Sequence, residues 1–153
     1  MSFRERPTTT TARTIGVLTI AAALVAATTG CAMIRQQTAD AWSVTYQVTT
    51  DAPGGTALTD VSVRGAERRG DTPTAHRFPR VTTTATPADA TGSRWQHEEV
   101  VLSGDRARVA VTPPPEAVAT CRVLLDGKRT IAEEQGRPGR PVTCSVTTPR
   151  FPG

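Results

Sequence analysis

The chain is predicted to be all-β, a small antiparallel β-sandwich, on three observations. Its segments alternate large apolar and small polar residues with a period of two, giving about seven strands set apart by turn signals. No amphipathic helical pattern appears after residue 41. The composition, with 12 Gly, 12 Pro, abundant Thr, 37% apolar and only 4% aromatic residues, favours strands and turns over helices and makes a thin core. With 153 residues there is room for one domain and an address segment. We divide the chain into 1–31 (signal peptide or membrane anchor with a lipobox-like end), 32–41 (linker), 42–149 (β-sandwich) and 150–153 (tail).

The N-terminal segment sets the compartment. A polar stretch carrying Arg4, Arg6 and Arg13 precedes an uncharged run from Ile15 to Ala27, the n-region and h-region of a secretory signal. Ala27-Thr28-Thr29-Gly30-Cys31 resembles the lipobox of bacterial lipoproteins, which implies that Cys31 receives diacylglycerol and becomes the mature N-terminus. Thr28 stands where a lipobox has an aliphatic residue. The alternative is an uncut anchor, since Ile15 to Ile34 is free of charge and, at about 20 residues, long enough to span a bilayer. In both cases the arginines stay in the cytoplasm and the domain lies on the extracytoplasmic face of the cell membrane. A twin-arginine pair is missing from the n-region, which points to the general secretory route.

The first strand is Trp42 to Thr49, with Trp42, Val44, Tyr46 and Val48 on one face. Asp51-Ala52-Pro53-Gly54-Gly55 ends it. A second strand is expected from Ala57 to Val63, with Leu58 and Val61 on opposite faces. Residues 65–94 read as long loops with one edge strand, because Pro79 cannot donate to a ladder. Trp95 to Leu102 and Arg106 to Thr112 are read as a hairpin about Ser103-Gly104-Asp105, and Pro113-Pro114-Pro115 then forces an extended crossing. Ala119 to Leu125 and Lys128 to Ala132 form a hairpin about Asp126-Gly127, a pair suited to the positive φ angles of a two-residue turn. Val142, Cys144 and Val146 share a face of the last strand.

Outside the cytoplasm thiols oxidise. With Cys31 assigned to the lipid or the membrane, Cys121 and Cys144 remain, both on inward faces, and a disulfide between them is expected. Its closure of the intervening loop is worth about 3 kcal/mol in the chain-entropy model.

Several function classes find no support in the residues. Three of the 18 basic residues and one of the 14 acids precede Cys31, leaving 15 against 13, or +2, with no basic run interleaved with aromatics; nucleic acid is therefore not an expected partner. His97-Glu98-Glu99-Val100-Val101 starts like a zinc-protease motif, yet Val101 stands where the second histidine is required. Glu98-Glu99 and Glu133-Glu134 are read as solvated, since neighbours in a strand face opposite ways, and His97 as a surface or partly covered imidazole. Neither a nucleophile elbow nor a phosphate loop is found, and the chain has no Asn to glycosylate. No catalytic residue, cofactor or metal site is expected, and Trp42 is read as core rather than as a membrane or partner contact.

The order Val44-Thr45-Tyr46-Gln47-Val48 after a membrane segment, Trp95 in the middle, Thr120-Cys121-Arg122-Val123 leading into Asp126-Gly127-Lys128, and a closing Val142-Thr143-Cys144 resembles the MmpS (mycobacterial membrane protein small) family. The likeness covers 42–49 and 119–146 and hardly touches 50–94. It implies an immunoglobulin-like sandwich and a non-enzymatic accessory of an RND-type (MmpL) transporter that exports lipids or siderophores. The lipobox-like Cys31 and the charged, Pro-interrupted middle depart from that family and leave open a stand-alone envelope lipoprotein that binds a small ligand or an envelope component.

Overall fold

The computed structural model describes residues 39–86 and 92–151; the signal or anchor segment, Cys31 and most of the linker lie outside the described residues. Among the described residues nine strands follow in order: β1 (Ala41–Thr50), β2 (Ala57–Gly65), β3 (Thr74–Thr82), β4 (Thr84–Ala85), β5 (Ser93–Leu102), β6 (Arg106–Thr112), β7 (Ala119–Leu125), β8 (Arg129–Gln135) and β9 (Val142–Thr147). They form two antiparallel sheets, ordered β4-β5-β1-β7-β8 and β3-β2-β6-β9. The all-β sandwich expected from the sequence is what the chain adopts. Set against an immunoglobulin-type sandwich, β4-β5-β1 takes the D-E-B order and β3-β2-β6-β9 the C′-C-F-G order, with β7 in the place of strand A.

β1 lies at the centre of the first sheet, between β5 and β7. Its alternation sends Val44, Tyr46 and Val48 into the core at zero exposure, while Trp42 packs at the core's margin, with its indole N–H on the Pro149 carbonyl at 2.8 Å and Phe151 stacked on the ring. Tyr46 reaches the opposite sheet. Its hydroxyl donates to the Arg64 carbonyl and accepts from the Arg108 N–H at 3.2 Å, two residues that face each other across the β2–β6 ladder. Burial pushes the phenol far above its usual pKa, so it keeps its proton and remains a donor.

Two expectations are corrected. Leu58 and Val61 do not face opposite ways: both are buried, at 0% and 1% exposure. The cause is Asp60, held at φ 50°, where the β2–β6 register shifts between Thr59 and Ser62. The bulge sets two residues of β2 against one of β6 and resets the parity of the strand, so that Leu58, Val61 and Val63 all reach the core. The second correction concerns Ser103-Gly104-Asp105, which does not close a hairpin. β5 pairs with β1 and β4, and β6 with β2 and β9, so the turn is an arch from one sheet to the other. Thr148 secures it: its backbone N–H donates to the Asp105 carbonyl, its carbonyl accepts from the Gly104 N–H, and its buried hydroxyl reaches the Leu102 carbonyl at 2.7 Å. Turn residues mark a reversal of the chain without stating whether the next strand stays in the sheet.

The segment 65–94 holds more order than its composition suggested. β3 is an edge strand, as Pro79 required, and β4 adds a two-residue neighbour to the start of β5. The hairpin expected at 119–132 forms, with one correction: Asp126 and Gly127 both take positive φ, 51° and 66°, but Leu125 faces Arg129, so the turn takes in Lys128 as a third residue, and the β7–β8 register shifts again between Val123 and Leu124. Ala119, Cys121, Val123 and Leu125 face inward with Val142 and Cys144 of β9. Cys121 and Cys144 are bonded, joining the two sheets with a Cα–Cα distance of 5.9 Å.

Candidate functional site

Of the residues singled out from the sequence, Cys121 and Cys144 come together as the disulfide, while Cys31 lies outside the described residues. The polar constellation that the structure assembles lies at the opposite flank. β4 pairs with β5 only at Ser93 and Arg94, so from Trp95 onward that side of β5 has no sheet neighbour among the described residues until Ala66 bridges to Val100 with a pair of backbone hydrogen bonds. Into this opening β5 turns Trp95, His97 and Glu99 on the face shared with Val101, and β3 of the other sheet offers His76 and Phe78.

Glu99 is the pivot. The structure corrects the expectation of a solvated carboxylate: its side chain has no exposed surface, whereas Glu98 is exposed. One oxygen, Oε1, lies 2.6 Å from His76 Nδ1 and 2.9 Å from His97 Nε2. The chain's two histidines thus converge from different sheets on one atom. The other oxygen, Oε2, is buried with no hydrogen-bond partner among the described residues. Such a group carries a desolvation cost of about 1–3 kcal/mol or more until something compensates its charge. Gly65 of β2 makes the burial possible, because a Cβ there would lie 2.6 Å from Glu99 Cβ and 3.3 Å from Oε2.

Both imidazoles are held in place. Thr74 Oγ1 lies 2.8 Å from His76 Nε2, on the far side of the ring from Glu99. Trp95 stacks parallel to His97 at a centroid distance of 5.8 Å, and Phe78 meets His97 edge-on at 5.0 Å and Trp95 at 6.0 Å. Solvent still reaches the rings, whose side chains are 27% (His76) and 31% (His97) exposed. His76 Nδ1, His97 Nε2 and a Glu99 oxygen all lie within 4.8 Å of one another, so the trio offers two imidazole nitrogens and a carboxylate to a single point.

His97 is partly covered, as its alternation with Trp95 suggested, but its role depends on partners that no local pattern displays. His76 is 23 positions from Glu99 and on another sheet. One signal was available: Glu99 is in phase with Trp95 and Val101, so a strand that buries those two also buries the carboxylate. No protein-family model, curated protein or solved structure matches the chain.

Proposed function

We propose that the chain is an exported, membrane-held, non-enzymatic β-sandwich that docks on an RND-type transporter and assists the export of lipids or siderophores. The observation that carries the reading is the Cys121–Cys144 disulfide between the sheets, a bond at home in an oxidising compartment. It joins the uncharged stretch Ile15 to Ile34 and the likeness of 42–49 and 119–146 to the MmpS family in favouring a domain that folds after crossing the membrane. An anchor makes a weak docking contact effective, because the encounter becomes nearly intramolecular at roughly millimolar effective concentration. The sandwich is the docking body and the transporter performs the transport.

The lipobox-like run ending in Cys31 favours a second reading, a stand-alone lipoprotein whose sandwich binds a small ligand or an envelope component. Membrane fractionation with mass spectrometry of the extracted chain tests both. The accessory reading expects a protease-accessible domain in the membrane fraction, retention of an RND-type transporter after cross-linking, and reduced export of its cargo in a deletion strain. A chain that starts at acylated Cys31, purifies alone and leaves export unchanged on deletion overturns it in favour of the second. A reduced, cytosolic chain overturns both.

A further inference from the structure

We propose that His76, His97 and Glu99 form a site for one divalent transition-metal cation of the imidazole-preferring class, with Zn2+ as its probe. The argument starts from the donor set. Two neutral imidazole nitrogens and one carboxylate oxygen suit Zn2+ and its neighbours, whereas hard cations such as Mg2+ and Ca2+ favour all-oxygen shells. The donors converge within 4.8 Å, and ligand atoms around a tetrahedral Zn2+ stand roughly 3.3 Å apart at the usual bond lengths. The observed 2.6 and 2.9 Å contacts open toward that spacing, while the widest separation in the trio, within 4.8 Å, closes toward it.

The proton balance is simple. For Oε1 to accept from both rings, His76 Nδ1 and His97 Nε2 must each carry a hydrogen; with a cation bound, both nitrogens present lone pairs to it and each ring carries its hydrogen on the other nitrogen. For His76 that other nitrogen is Nε2, where Thr74 Oγ1 at 2.8 Å accepts it, an outer partner of the kind that orients metal-bound histidines. Cation binding is then a change of tautomer at both rings, with no net release of protons from neutral imidazoles.

Two further features favour an ion over a purely structural hydrogen-bonded cluster. The carboxylate is fully buried and Oε2 has no partner among the described residues, and a bound cation supplies the charge compensation that the two rings on Oε1 do not complete. The solvent-facing side of the rings leaves a coordination position open to water, so the site is exchangeable. Because His76 belongs to one sheet and His97 and Glu99 to the other, the ion would clip the edge of the sandwich. None of this depends on a transporter partner.

The test uses the full chain purified in detergent without a histidine tag and with Cys31→Ser, so that the disulfide accounts for the other two cysteines. Titration against a chromophoric chelator is expected to show one Zn2+ per chain, a melting temperature that rises with free Zn2+, and a visible absorption band with Co2+. His76→Gln and His97→Gln, both at partly exposed positions, are each expected to weaken Zn2+ binding by at least about tenfold, the lower bound for loss of an outer partner, and to remove the Co2+ band. Thr74→Val is expected to weaken binding less and to keep the band. Failure of the chain to take Zn2+ from the chelator, or undiminished stoichiometric binding by the His76→Gln/His97→Gln double variant, overturns the proposal.

Discussion

Where β7 and β9 face each other, the two sheets are joined by a covalent bond between cysteines with no exposed surface; where β3 and β5 face each other, they are joined by the His76–Glu99 hydrogen bond, to a buried carboxylate oxygen that His97 of β5 shares. The stapled flank is apolar and strictly alternating, with Ala119, Val123, Leu125 and Val142 around the bond. Its stability comes from burial and from a loop already closed in the unfolded chain. The open flank is polar, depends on a glycine to admit a side chain, and leaves one buried oxygen without a partner. One flank is tied by a covalent bond, while the other presents polar, partly exposed side chains to solvent.

Removing the staple is the largest way to break this contrast. The Cys121→Ala/Cys144→Ala variant is expected to lose about 3 kcal/mol in denaturant titration, the chain-entropy value for a loop of this length. On a domain of about 100 residues that lowers the melting temperature by more than about 10 °C. Reducing agent should destabilise the native protein and leave the variant unaffected. Equal stability of the two would show that the packing around β7 and β9 holds without the bond.

Tyr46 ties both flanks to the centre, and Tyr46→Phe sharpens the comparison by removing polar atoms without opening a cavity. The Arg64 carbonyl and the Arg108 N–H then lose their shared partner inside the core. We expect a loss of about 2–3 kcal/mol in urea titration, the cost of leaving buried polar groups unpaired. Because burial already holds the phenol's pKa far above its usual value, raising the pH to 9 should not mimic the substitution. On the open flank, Gly65→Ala places a methyl group 2.6 Å from Glu99 Cβ. The carboxylate is the element that yields, at about 1–2 kcal/mol in thermal unfolding, the usual range for mild overpacking. Its displacement should appear in the histidine ring signals in NMR spectra, with both rings shifting together.

The difference between the flanks also sets how much of each was legible in the sequence. Ala119 to Leu125 alternates without a break, its Asp126-Gly127 pair marks the reversal, and with Cys31 set aside the two inward cysteines have each other as partners; these strands and the disulfide follow from local signals. The open flank fails each of these conditions. The bulge at Asp60 resets parity in mid-strand, which made Leu58 and Val61 look opposed. The Ser103-Gly104-Asp105 turn changes sheets, and its anchor, Thr148, lies far along the chain. The His-Glu-His cluster is a product of long-range pairing, and its carboxylate is hidden by the rule that Glu belongs at the surface, a rule the structure breaks by giving Glu99 Gly65 to pack on.

The smallest expected effect sets two carboxylates side by side. Glu133 of β8 pairs with Arg122 of β7 at 2.9 Å, directly across the ladder, as Glu99 pairs with His76 across the sheets. The hydrogen bond from Arg122 holds the Glu133 carboxyl below the usual carboxylate range and raises the guanidinium's pKa in turn. A depressed carboxylate pKa contributes stability that is present above the unfolded-state value and fades as the pH falls through the folded-state value. Glu133 is exposed, however, and water and salt screen such a pair to near nothing. Glu133→Gln should therefore leave the melting temperature at pH 7 unchanged within error, and the two proteins should trace the same acid-unfolding curve. Glu99→Gln, an identical change of chemistry inside the open flank, should alter both stability and Zn2+ uptake. If the exposed substitution proved as costly as the buried one, surface charge rather than burial would be governing this sandwich, and the distinction between its flanks would fall.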